Sequence, residues 1–254
     1  MTGLAYMMYS DWANNGNGTT ETSAQIRAWI GDTSAYVFCA EKAEYLEADT
    51  RKRGIARDLL EAIRSPEAKT IATTYGELSQ LEGQRFDAVL IATIPHGERE
   101  TESLLRAIRA GTFTKLLVIS LHDGEFVNHL FDAFAAVDVA SGERHELPDS
   151  LRAEAARMMV NEEYNGLGSG NGKDTVLTLI HAFREAGYPV DKRAWLGAYF
   201  AAGGKARHAE TVAKYIDEIG KGIKHRYRNR YRSNIVEILQ ERMDENLSEE
   251  SPAG

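Results

Sequence analysis

Two continuous apolar runs, FDAVLIATI (86–94) and KLLVISL (115–121), flank one amphipathic segment, RETESLLRAIRAG (99–111). A strand with no polar face must be covered on both sides, as in the parallel sheet of an α/β fold. The intervening segment puts Leu104, Leu105 and Ile108 on one helical stripe and ends at Gly111, suited to a left-handed C-cap. A parallel pair joined by a helix implies a right-handed crossover. The alternation extends in both directions. LAYMMY (4–9), AYVFCA (35–40) and KTIATTY (69–75) read as strands, and ETSAQIRAWI (21–30), RGIARDLLEAIR (53–64) and GEFVNHLFDAFAAV (124–137) as helices. The predicted fold is α/β, a Rossmann-like doubly wound parallel sheet, followed by an all-helical C-terminal region.

Past residue 145 strand patterns stop. Helical spacing marks 148–164, 174–187, 191–204, 206–222 and 231–243. The predicted organisation is an α/β domain over 1–143, a helix and Gly-rich linker over 144–173, a helical basic domain over 174–243 and a disordered acidic tail over 244–254. The single cysteine, Cys39, excludes an internal disulfide and a multi-cysteine zinc site. No run reaches the roughly 18 apolar residues of a membrane span, and the N-terminus lacks a basic n-region. A soluble cytoplasmic protein with no membrane partner is expected.

The stretch GLGSGNGKDT (166–175) imitates a phosphate loop. A phosphate loop needs G-x-x-x-x-G-K-[ST] between a strand and a helix. Here Leu167 occupies the first glycine position, Asp174 the hydroxyl position, and the upstream segment is helical. The expectation is a linker, with Asp174 as N-cap of the next helix.

A second glycine cluster, SDWANNGNGTTET (10–22), follows the first strand and leads into a helix. Ligands of doubly wound folds bind beyond the strand C-termini, where helix N-termini attract anions. Ser10, Gly16, Asn17, Gly18, Thr19, Thr20 and Glu41 are the candidate ligand-binding residues, for a nucleotide-like or phosphorylated small molecule; an Asn/Gly-rich surface loop reads the same way. Asp11, His96, His122 and Asp123 fall at strand ends on the same edge and could act as acids and bases, or hold a divalent metal. No residue is assigned as a metal ligand, and the residues identify no cofactor.

FDAVLIATIPHGERETESLLRAIRAG (86–111) resembles the fourth strand and helix of the Rossmann-domain NAD(P)-dependent sugar and inositol dehydrogenases. That family carries a glycine fingerprint turn and an E-K-P segment with its catalytic lysine; this chain has neither, and its helical second half is unlike the family's substrate domain. The resemblance implies the sheet and not the reaction.

Charge is the remaining signal. The chain carries a net −8, yet residues 221–232, KGIKHRYRNRYR, hold six Lys/Arg and no acid. Arginines interleaved with tyrosines offer phosphate contacts beside stacking faces. On a helix, Lys224, Arg228 and Arg232 would line one face. Upstream, 191–219 reads as two helices joined at Gly203-Gly204, the plan of a helix-turn-helix, with Lys205 and Arg207 opening the second. The expected nucleic-acid-binding residues are Lys205, Arg207, Lys221, Lys224, Arg226, Tyr227, Arg228, Arg230 and Arg232, with DNA or RNA as partner. The reading that covers most of these features is a binding or regulatory protein. Two alternatives stay open: an enzyme on a nucleotide or phosphorylated small molecule, and an assembly subunit, homo-oligomeric or otherwise, whose helical half makes protein contacts.

Overall fold

The computed structural model describes residues 2–10, 18–42, 61–63, 65, 67–81, 83–95, 97–121 and 126–249, without the side chains of 18, 19 and 246–249. The chain forms two compact units, Met1–Glu146 and Leu147–Gly254.

The first unit is built on six parallel strands, β1 (Gly3–Met8), β2 (Ala35–Ala40), β3 (Lys69–Thr74), β4 (Phe86–Thr93), β5 (Phe113–Ser120) and β6 (Val137–Asp138). Their order is β3-β2-β4-β5-β1-β6. Among the described residues the unit's helices include α1 (Gly18–Ile30), α2 (Tyr75–Leu78), α3 (Glu98–Ala110) and α4 (His129–Ala133). The chain first steps toward the β3 edge, from β1 to β2 to β3, and then returns toward the β6 edge. Crossovers of one hand put the helices of these two directions on opposite faces. On one face, Ile26 and Ile30 of α1 and Ile63 pack on Ala5, Met7, Phe38, Ile91 and Ile119. On the other, Phe131 of α4 stacks on Tyr6 of β1, ring centroids 4.1 Å apart. The doubly wound parallel sheet expected from the apolar runs is therefore present. Its strand order differs from the 3-2-1-4-5-6 of dinucleotide-binding sheets.

Gly111 caps α3 at φ +61°, donating to Ala107 O and Ile108 O, as its position implied. The helix expected over 124–137 is far shorter. Within the described residues it is a 3₁₀ turn (Phe126–Asn128) followed by α4, and Val137 and Asp138 leave as the short edge strand β6. Ala135, at φ +49°, turns the chain there. Of the helix expected over 53–64 only 61–63 are described, and they are helical.

The second unit holds α5 (Ser150–Asn161), α6 (Gly170–Glu185), α7 (Lys192–Ala201), α8 (Ala206–Gly220) and α9 (Ile235–Glu249). Its aromatic core is Phe183, Trp195, Tyr199 and Phe200, each at most 1 % exposed. α5 packs on α6, α7 and α9, and α8 packs on α6 and α7. Asp149 and Asp191 cap α5 and α7, each accepting two backbone N–H bonds at the first turn. α9 runs to Glu249, into the stretch expected to be an acidic tail; 250–254 lie outside the described residues. Among the described residues, the buried ones of α9 are Ile235, Val236 and Leu239, all in its first half, and the helix continues past them into the acidic stretch.

The glycine stretch 166–175 is not a hinge. It lies inside the second unit, and α6 begins at Gly170 with Ser169 as N-cap, so Asp174 is not the cap. A Cβ on Gly172 would stand 2.1 Å from Gly166 O, and Leu167 is fully buried. Glycine serves close backbone packing here, and the segment begins after a 3₁₀ turn (Glu163–Asn165) instead of a strand.

The basic stretch is not a helix either. α8 closes with a left-handed Gly222 (φ +75°), whose N–H donates to Ile219 O at 3.0 Å while Ile223 N–H donates to Glu218 O at 2.9 Å. That is a Schellman stop. Residues 223–230 then run without helix or strand pairing until α9.

Candidate nucleic-acid interface and ligand edge

The strip 221–232 is anchored at three points on the second unit. His225 lies at the edge of the Tyr215 ring, centroids 5.5 Å apart, with Nε2 3.4 Å from Glu218 Oε2. Tyr227 stacks flat on His181, centroids 5.3 Å apart and planes 2° apart. The Arg230 backbone N–H donates to Thr178 Oγ1 at 3.2 Å, and its guanidinium pairs with Glu162 at 3.1 Å.

Between these anchors the side chains alternate. His225 and Tyr227 turn inward and are partly buried, whereas Lys224, Arg226 and Arg228 are exposed. Lys224, Arg226 and Arg228 are thus the exposed residues of a short alternation whose covered positions are the rings at 225 and 227. Lys221 and Arg232 are also exposed. Among the described residues, Lys221, Lys224, Arg226, Arg228 and Arg232 have no ion-pair partner. The row concentrates uncompensated positive charge, whose field reaches furthest at low salt.

The other expected nucleic-acid residues are placed differently. Lys205 lies before α8 with its Nζ 3.5 Å from the buried carboxylate of Glu163, which also accepts from Lys205 N at 2.9 Å and from the Tyr199 hydroxyl. Its charge serves that buried acid. Arg207 is exposed and donates to His208 Nε2 at 3.2 Å. The stacking face assigned to Tyr227 is covered on one side by His181. Helices α7 and α8 are joined at Gly203 and Gly204 as expected, Gly203 at φ +105°.

His181 makes the anchor pH-sensitive. Burial, and then the adjacent Arg184, hold its pKa below the ordinary histidine value. Arg184 donates to His181 Nδ1 at 3.0 Å, a bond that protonation removes. The unfolded chain therefore binds this proton more readily than the folded one. Stability is full above the ordinary value and falls as pH drops through the lowered one. In an NMR titration His181 should titrate below ~6.5, and amide exchange around Tyr227 should quicken across the same interval. A midpoint at or above the ordinary value would contradict this.

In the first unit, Asp11, Gly16, Asn17, His96, His122 and Asp123 lie outside the described residues. Ser10 follows β1 and Glu41 follows β2, on the C-terminal edge of the sheet; Gly18, Thr19 and Thr20 open α1 at that edge. The edge is closely bonded. Thr93 Oγ1 donates to Cys39 O at 2.9 Å and Tyr75 OH to Thr93 O at 3.0 Å. Thr74 and Glu77 form a capping box over α2; bonds from the Thr74 backbone and side chain hold the Glu77 carboxyl below its ordinary pKa. Burial, aided by Glu77 and Glu100, pushes the Cys39 thiol up, so the cysteine is a packing residue. Ile94, immediately after β4, sits at φ +44°. A β-branched residue in the left-handed region is strained, and such strain concentrates at ligand edges.

Sequence reasoning passed over a third cluster. His145 Nδ1 lies 2.6 Å from Asp132 Oδ1, and His145 Nε2 lies 2.9 Å from Tyr6 OH. A carboxylate only accepts, so Nδ1 is assigned the proton and Nε2 accepts from the phenol. The three residues come from α4, the segment after β6, and β1, and no local spacing connects them. Among the described residues, no group of three or more His, Cys, Asp or Glu is placed to hold a metal ion, and no helix is long and apolar enough to cross a membrane.

Fold and site together define a two-unit protein, a doubly wound α/β unit followed by a helical unit that carries an outward row of cations. Compared with known proteins, the chain matches no family model, no curated protein and no solved structure.

Proposed function

We propose that this is a nucleic-acid-binding protein whose helical unit makes the contact, and whose α/β unit holds a nucleotide-like or phosphorylated regulatory ligand at the strand C-termini. The observation that carries the reading is the row Lys221, Lys224, Arg226, Arg228 and Arg232, exposed and without ion-pair partners among the described residues. It supports the reading because Lys and Arg contacts to phosphates supply essentially all of non-specific nucleic-acid affinity. The ligand half draws support from the switch in crossover direction and the strained Ile94 on one edge. The enzyme alternative rests on Asp11, His96, His122 and Asp123, outside the described residues.

The test is an anisotropy titration of labelled oligonucleotide at graded salt, with native mass spectrometry of the same preparation for a copurified ligand. Binding should weaken steeply with salt, with a log–log slope of about 3.5 if all five unpaired cations of the strip engage a single strand. Combining Lys224→Glu, Arg226→Glu and Arg228→Glu should cost roughly 100-fold or more and flatten the slope. Unchanged affinity in that variant would overturn the nucleic-acid half, and a preparation free of any phosphorylated small molecule the ligand half.

A further inference from the structure

The nature of the surface beside the cation row narrows its ligand, and this narrowing rests on the reading above. Three large apolar side chains are exposed among the described residues: Leu147, Tyr164 and Ile223. Ile223, 47 % exposed, belongs to the strip. Tyr164, 96 % exposed, sits in the 3₁₀ turn Glu163–Asn165, two residues along the chain from the Glu162 that anchors the strip by holding Arg230 at 3.1 Å.

We propose that the strip takes single-stranded nucleic acid, with the phosphates along Lys224, Arg226 and Arg228 and a base stacked on Tyr164. The cation row by itself suits either form, because phosphates follow one another at similar spacing along a free strand and along one strand of a duplex. Two features favour a single strand. First, a duplex hides its base faces, so an exposed aromatic ring gains nothing from it, whereas an unpaired base offers a face to any ring. Second, Tyr164 packs on almost nothing within the unit, so stacking uncovers no core. Tyr227, the platform its sequence position suggested, already spends one face on His181.

The experiment compares a mixed-sequence single-stranded 20-mer with a duplex of the same sequence, using the full chain, Tyr164→Ala and Tyr164→Phe, with thermal melting of each variant. The single strand should bind at least roughly tenfold tighter than the duplex. Tyr164→Ala should weaken it by roughly 5- to 100-fold with an unchanged salt slope, and Tyr164→Phe should keep most of the affinity. Melting should be unaltered in both variants. Equal affinity for both forms, or no effect of Tyr164→Ala on the single strand, would overturn the inference and leave the nucleic-acid reading standing. Binding of neither form by the unaltered chain would overturn both.

Discussion

Gly172→Ala is expected to lower the melting temperature of the helical unit by roughly 10–25 °C, a destabilisation of about 2–4 kcal/mol. The methyl group would stand 2.1 Å from Gly166 O, 3.0 Å from Gly166 C and 3.1 Å from Leu167 Cα. All three are main-chain atoms, so no rotamer relieves the overlap. Relief requires moving the 166–169 segment, which is held from two sides. Leu167 is fully buried, and the Tyr215 hydroxyl donates to Gly168 O at 3.0 Å. Exposing Leu167 alone forfeits about 2 kcal/mol. Gly168→Ala is the control: nothing lies within 4 Å of the added carbon, and its effect should stay within ~1 kcal/mol. Calorimetry of the full chain, with hydrogen exchange assigning the transition to residues 147–254, separates the two. If both variants melt alike, the close packing of this turn is wrong.

Trp195→Ala should cost about 3–5 kcal/mol from cavity formation alone. Trp195 is 1 % exposed, its ring set edge-on to Phe183 with centroids 5.0 Å apart. The Arg152 guanidinium lies 5.6 Å over the same ring. Arg152 is itself 7 % exposed; one of its nitrogens donates to Asp149 at 3.1 Å, while its Nε has no hydrogen-bond partner among the described atoms. Removing the indole takes away the surface that partly stabilises this buried cation, about 1 kcal/mol more. Against a typical domain stability of about 5–15 kcal/mol, the unit should unfold at a much lower urea concentration. Trp195→Phe should recover around half of the loss, since an aromatic face remains for Arg152. A loss of unfolding free energy below ~1 kcal/mol for the alanine variant would contradict the packing described.

The fold was largely legible and the sites were not, for a common reason. β2, β4 and β5 are continuous apolar runs because both faces are covered, and such runs announce themselves over a few residues. β6 is two residues long, too short to show any period, and its place is set by pairing with Ala5 and Tyr6. Residues 224–232 show how a pattern misleads. Cations at 224, 228 and 232 satisfy a helical spacing, yet 224, 226, 228 and 230 satisfy a period of two equally well. The left-handed stop at Gly222 and the inward anchors of His225 and Tyr227 decide for the second. The glycines of 166–175 suggested freedom, but Gly172 is required by a carbonyl six residues earlier that no local rule locates.

By itself the sequence determined the parallel α/β unit, the helical second half, the left-handed cap at Gly111, and the concentration of positive charge near residues 221–232. Each follows from interactions along one element, where spacing and burial are written locally. Tertiary structure alone decided that the basic run is an irregular strip with outward cations, that Lys205 serves a buried Glu163, and that Tyr164 stands open near the Arg230–Glu162 anchor. Those facts depend on which distant residues meet, and contact across the chain leaves no period to read.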